Sequence, residues 1–271
     1  MTLENIIRRT AIVAARNAGK ELLGLFREGK ISVRRKFDYP GSIVTNADKK
    51  AEQIILSTIR KSEIPSTIVS EEAGRISLGS REVVWAVDPL DGTLNYAKRI
   101  PHFAVSIGAI VKGQTMVGVI YNPVLDELFV ATKGQGARLN ERTIHVSNAK
   151  FLRGATLIFE WWDREPLIPD PLGLEKKLYK LTRSVRSPGS VALNLCAIAA
   201  GRFDGLITVF QRSPIYETAA GCLIVREAGG CVTNSAGEDW QTFRASIIAA
   251  GEPIHKRLLR MIRQRPSLDR P

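Results

Sequence analysis

Long apolar runs are missing from this chain: no stretch approaches the roughly 20 residues that cross a bilayer. The opening MTLENIIRRTAIVAARNAGKELL has charges spaced through it. It reads as an amphipathic helix and not as a signal peptide, so a cytoplasmic protein is expected. Cysteine is scarce. Cys196, Cys222 and Cys231 stand far apart with no CxxC pair, which argues against a zinc site and fits a reducing compartment; each is expected as a small packed side chain. His102, His145 and His255 lie in no recognisable motif and GxSxG is absent, so no serine, cysteine or histidine nucleophile is indicated. There is no repeat, no low-complexity segment and no basic run interleaved with the aromatics that stack bases.

What is present suits a soluble globular protein with a real core: 271 residues, 44% hydrophobic and 24% charged. That length allows one large domain or two fused halves, divided here as 1–150 and 151–271. The formal charge of +12 is concentrated partly in the tail HKRLLRMIRQRPSLDRP. It is read as a solvated basic surface that favours anionic ligands; nucleic acid is not an expected partner, nor is a membrane.

Apolar spacing predicts a first helix over 3–26, with Ile6, Ile7, Val13, Ala14, Leu22 and Leu25 on its inner side, and a short strand and turn over 32–41. A second helix is expected from Asn46 to before Pro65. Short strands follow at 67–69 and 83–87, then an antiparallel meander over 103–139 with its first turn at Lys112–Gly113. Past residue 150 strands (155–159, 184–187, 204–209, 231–234, 246–250) alternate with helices near 174–183, 190–200, 216–228 and 252–264. That alternation points to a layered α/β second half. The proline-rich stretch 161–173 reads as a surface loop.

Four acidic segments carry the candidate chemistry. In VVWAVDPLDGTLNYA an apolar strand delivers Asp88 and Asp91, Pro89 fixes the turn between them, and Gly92 allows close backbone approach before a short helix opens at Thr93. Two carboxylates on one turn suit hard divalent cations, and N–H groups at a helix start suit an anion; the alternative is an Asp-rich turn with an N-cap. Glu71 and Glu72 end the strand TIVSEEAG, where a solvated surface pair is the alternative. Thr45 and Asp48 open the second helix, and Glu217 the helix IYETAAGCLIVREAGG; helix-dipole stabilisation would explain either acid alone.

Together, SEE, DPLDGTLNY, GSVALNLCAIAAGRFDG and EAGG resemble the inositol monophosphatase superfamily, which also includes archaeal fructose-1,6-bisphosphatases and 3′-phosphoadenosine phosphatases. The resemblance spans about residues 5 to 262. It implies an α/β (α+β) fold, the layered α/β/α/β/α sandwich of the inositol monophosphatase/fructose bisphosphatase type, and commonly a homodimer. It implies two to three Mg2+ ions: Glu71, Asp88 and the Leu90 carbonyl at the first, Asp88, Asp91 and Glu217 at the second, Glu71 with waters at a third. Gly92 and Thr93 would grip phosphate by backbone N–H groups, while Asp48 and Thr93 orient the attacking water, with Glu72 beside them. Gly189, Ser190 and Ala192 fall where the family contacts the rest of the substrate. The expected activity is hydrolysis of a small sugar or inositol phosphate, inositol-1-phosphate or fructose-1,6-bisphosphate, by direct water attack. A nucleotide 3′-phosphatase and a non-catalytic binder of phosphorylated ligands or of a partner are the alternatives.

Two departures stand out. Tyr216–Glu217 replaces the family's usual Trp-Asp, one methylene longer at a metal position. Residues 210–214 lack the acid that inositol-specific members place there; Arg183, Arg186 and Arg212 suggest instead a second anionic group on the substrate, with surface ion pairing as the alternative.

Overall fold

A computed structural model describes residues 2–29, 31–36, 43–161, 170–209, 214–240 and 246–263. In chain order the elements are α1 Leu3–Glu28, β1 Val33–Arg35, β2 Ile43–Thr45, α2 Asn46–Lys61, β3 Ser66–Ser70, β4 Gly74–Asp91, α3 Thr93–Ala97, β5 Ala104–Val111, β6 Gln114–Asn122, β7 Glu127–Thr132, β8 Ala137–Leu139 and β9 Arg142–Thr143. The later part adds β10 Thr156–Glu160, α4 Pro171–Leu181, β11 Ser184–Arg186, α5 Val191–Ala199, β12 Gly205–Thr208, α6 Ile215–Glu227, β13 Cys231–Thr233, β14 Ile247–Ala250 and α7 Glu252–Arg263.

Burial follows helical period. On α1 the stripe Ile7, Ala11, Ala14, Ala18, Leu22 and Leu25 faces the core. Val13, expected inward, is 41% exposed, because it sits about 100° around the helix from Ala14. A seven-stranded sheet runs β3-β4-β5-β6-β7-β8-β9, and a five-stranded one β11-β10-β12-β14-β13. Apolar side chains sort into shared cores between these sheets and the helices. One core joins α1 and α2 to the first sheet through Trp85, Ile107 and Val119. The next joins the other face of that sheet, at Ile120 and Phe129, to α5, α6 and the second sheet. The last joins Leu157, Ile207 and Ile248 to α4 and α7. The layers therefore run α1α2, sheet, α5α6, sheet, α4α7: an α/β/α/β/α sandwich.

Two of the differences from the sequence reading have a local physical reason. No element was expected over 74–82, yet β4 begins at Gly74. Ser66–Ser70 pairs on one side with Leu78–Gly74 and on the other with Val84–Val87, so β3 lies between two arms of one long strand. Charged Arg75 and Glu82 and two glycines mask the alternation of Ile76 and Leu78. In the stretch read as loop, residues 162–169 lie outside the described set, but Pro171 opens α4. Proline at a first helical position forfeits no hydrogen bond, and Asp170 caps the turn by accepting from Gly173 N–H at 2.9 Å.

The middle layer is pressed hard against the first sheet. A Cβ added at Gly118 would stand 2.6 Å from the Ala220 carbonyl oxygen, and one at Gly108 3.1 Å from Ala219 Cβ. Strands β5 and β6 thus yield room for the backbone of α6, the helix that brings Glu217. Gly118→Ala should cost about 1–3 kcal/mol by overpacking, seen as a lower Tm. Gly24→Ala, on the exposed side of α1 with nothing within 4 Å, should not lower Tm at all.

Candidate active site

Two strand ends and two helix starts converge. The adjacent ends of β3 and β4 are tied by the Glu71 N–H to the Val87 carbonyl, 3.1 Å. The turn after β3 is anchored from α2: Glu52 Oε1 accepts from Ser70 Oγ at 2.5 Å and Ala73 N–H at 2.8 Å. Glu71 and Glu72 thus leave β3 beside Asp88 and Asp91, which leave β4 almost fully buried, at 1% and 6% exposure. Asp88 Oδ1 accepts from Leu90 N–H at 3.0 Å, the local bond that closes the Asp-Pro-Leu turn. Glu217 stands in the first turn of α6, near β5 because Ser106 Oγ donates to the Tyr216 carbonyl at 3.2 Å. Ser106 is the residue paired with Asp88 across the sheet.

These acids repel one another. Burial first, and then the charges of Glu71, Asp91 and Glu217, hold the Asp88 carboxyl well above the usual carboxylate range. Burial also pushes Asp91 up to about 7, against the bonds it accepts from Ser190 and the N–H groups of Ala192 and Val191. Burial raises Glu72 to about 7 although Lys36 opposes it. Lys36 Nζ reaches Glu71 Oε1 at 2.8 Å and also pairs with Glu72. Burial works against its charge, but the two glutamates outweigh it and raise its pKa. Like charges about 4 Å apart cost about 4 kcal/mol each even at an effective dielectric near 20. One lysine does not balance this set, and an all-oxygen group of crowded acids suits a hard divalent cation. Among the described residues, no three His, Cys, Asp or Glu side chains form a ready-made cage. Several are turned to protein donors instead: Glu71 to Lys36, Asp88 to the Leu90 N–H, Asp91 to α5. The residues fit Mg2+ in chemistry and neighbourhood, and holding it would need these side chains to turn from their present donors.

Gly92 follows at φ +89°, and an added Cβ would meet the His102 carbonyl oxygen at 2.9 Å. This is a left-handed position with no room for a side chain. Thr93 opens α3, so the first N–H groups there have no acceptor within the helix. Thr93 Oγ1 lies 2.9 Å from the Leu90 carbonyl and 3.2 Å from Asp48 Oδ1. Asp48 itself is fully buried in a capping box. Its Oδ2 accepts from Thr45 N–H at 2.8 Å and Thr45 Oγ at 2.5 Å, and burial raises its pKa to about 6 despite them. Both the local role and the site contact of Asp48 are therefore realised by one carboxylate.

The remaining candidate positions divide. Ser190 and Ala192 are buried and turned to Asp91: Ser190 Oγ and the Ala192 N–H, the latter at 3.0 Å, both donate to Oδ2. Gly189 lies against Gly92, its carbonyl oxygen 3.5 Å from where a Cβ there would be. Arg186 is exposed and its Nη1 donates to the Val185 carbonyl at 3.0 Å. Arg212 lies outside the described residues. Sequence reasoning missed Lys36, which no motif marks, and Asn95, which sits inside the quoted motif. It also missed Glu160, an acid ending the strand TLIFE.

A model of the inositol monophosphatase family matches residues 4–267. Over 254 residues the chain is 39% identical to the Nus factor SuhB of Escherichia coli K12, covering 93% of this chain and 94% of that protein. Among solved structures, the extragenic suppressor protein suhB of Bartonella henselae superposes with a TM-score of 0.87 at 34% identity, covering 95% and 98% of the two chains. The inositol monophosphatase of Anabaena (Nostoc) does so at 0.83 and 35%, covering 98% and 99%.

A carboxyl whose pKa is higher folded than unfolded stabilises the fold at low pH, and that contribution is lost as pH rises through the folded value. For Asp48, Glu72 and Asp91 the window runs from about 4 to about 7. In EDTA, thermal scans should therefore show Glu72→Gln gaining Tm relative to the parent between about pH 5 and about pH 7.5. Mg2+ should raise the parent's Tm more at the upper pH. A difference that stays flat across that range would show that Glu72 is not held in its neutral form.

Proposed function

The chain belongs to the inositol monophosphatase family, and on that footing we propose that it is a Mg2+-dependent phosphomonoesterase acting on a small sugar or inositol phosphate. The observation that carries this reading is the Asp48–Thr93 contact set beside the crowded carboxylates. In this proposal Glu71, Asp88, Asp91, Glu217 and the Leu90 carbonyl would hold the ions. Bound there, divalent cations would neutralise phosphate oxygens and lower the pKa of a water. The N–H groups of Gly92 and Thr93 bind the phosphate. The Thr93 hydroxyl has one proton and two acceptors, Leu90 O and Asp48 Oδ1. When it donates to Asp48, its own oxygen accepts from the water and sets the line of attack. Asp48, raised to about 6, can take a proton near neutral pH. The arginines at positions 183, 186 and 212 of the sequence are the reason to include a bisphosphate such as fructose-1,6-bisphosphate alongside inositol-1-phosphate.

A second reading, binding of a phosphorylated ligand or a protein partner without turnover, is favoured by the name Nus factor that the similar curated proteins carry and by Glu217 in place of aspartate. Phosphate release from a panel of sugar, inositol and nucleotide phosphates, with and without Mg2+, separates the two. Metal-dependent release from a subset of the panel supports the enzyme; none from any substrate supports the binder. Thr93→Ala should lower kcat by about 100-fold or more, as loss of a group that orients the reacting water does, with KM little changed. Glu217→Asp should raise the Mg2+ concentration for half-maximal activity, because α6 is pinned at Ser106 and Gly118 and the shorter acid falls back from Asp88. Higher activity in that variant would mark the glutamate as a lesion.

A further inference from the structure

Glu160 ends β10 with no exposed surface, in the second half of the chain and outside the acid cluster. Three donors converge on it. Oε1 accepts from the Gly189 N–H at 2.8 Å and Asn194 Nδ2 at 2.7 Å, while Oε2 accepts from Ser187 Oγ at 2.7 Å. The peptide so held is gripped from its other side by Asn95, whose Nδ2 donates to the carbonyls of Pro188 at 2.9 Å and Gly189 at 3.2 Å. The next residue, Ser190, caps the start of α5, and its hydroxyl and the Ala192 N–H hold Asp91.

We propose that Glu160 is a positioning residue for Asp91, acting through the 187–190 loop; this rests on the reading of Asp91 as a metal ligand. A buried carboxylate is costly. It is retained here with three hydrogen bonds, all made to one short loop and the helix that follows. Few of these bonds serve the fold elsewhere: β10 is already fixed by its backbone pairing to β11 and β12. What they determine is where the start of α5 stands, and with it the direction of Asp91 Oδ2. They also set how closely the Gly189 carbonyl approaches Gly92. Residues of the second half thereby set the geometry of a carboxylate supplied by the first.

The hydrogen bonds, not the charge, are the working part. Glutamine can keep the carbonyl oxygen toward Gly189 and Asn194 and turn its amide to the Ser187 hydroxyl, which can accept. Calorimetric titration with Mn2+, a hard cation with oxygen preferences like those of Mg2+, reads the effect without turnover. Glu160→Ala should weaken Mn2+ binding about 10-fold or more, as loss of partners behind metal ligands does, and lower kcat/KM in parallel. Glu160→Gln should stay within about twofold of the parent, since its acceptor geometry is kept. Should Glu160→Ala fail to fold, Ser187→Ala, at an exposed position, carries the same comparison with a smaller loss in the same direction. Parent-like Mn2+ binding in a folded Ala variant and in Ser187→Ala overturns the proposal. So does a Gln variant as weak as the Ala variant. If the parent releases no phosphate yet the variants differ in Mn2+ binding, the phosphatase reading fails and the positioning role stands.

Discussion

Mutual repulsion among buried carboxylates is the constraint around which this molecule is arranged. Asp88, nearly without exposed surface, lies in the field of Glu71, Asp91 and Glu217. Nothing about a β-strand end favours that crowd; left alone, acids at those positions would turn outward to water. They stay because each is tied to something rigid. The turn after β3 is bolted to α2 by Glu52, Asp48 is locked in its capping box, and Asp91 is held at the start of α5. The beginning of α6 is fixed to β5 through Ser106. Lys36 offsets part of the charge.

Such rigidity needs neighbours on every side, and the sandwich supplies them. Helices α5 and α6 form the layer shared by both sheets, so a displacement of either sheet moves a helix start that touches the acids. Glycines at 108 and 118 let α6 settle against β5 and β6 with backbone contact. The site is thus built where two sheets and one helical layer meet, and its acids come from segments as far apart as Asp48 and Glu217. For the proposed function, a phosphate monoester, dianionic and resistant to attack by hydroxide, is the kind of substrate for which crowded acids that would hold cations beside a helix start are useful.

Much of this was legible in one dimension. Helical and alternating periods located nearly all the elements, because each has one face in a core and one in solvent. The paired acids of DPLDG, the exposed helix start after Gly92 and the capping pattern at Thr45–Asp48 were also local. What escaped was what depends on a partner distant in sequence. The first arm of β4 shows weak alternation because its identity as a strand comes from pairing with β3. Ser190 and Ala192 looked like ligand contacts, but only the tertiary arrangement shows them facing Asp91, about a hundred positions away.

The sequence by itself determined the layered α/β class, the family resemblance and the acids concerned, since spacing and residue type are local properties that hydrophobic burial and hydrogen-bond geometry translate directly. Tertiary structure alone decided which donors hold those acids. Lys36 against Glu71, Asn95 against Gly189 and Glu160 beneath the 187–190 loop are bonds across long separations, and their existence depends on how the layers stack. The physical reason is range: a helix cap is settled within four residues, while a buried carboxylate finds its donors wherever packing brings them.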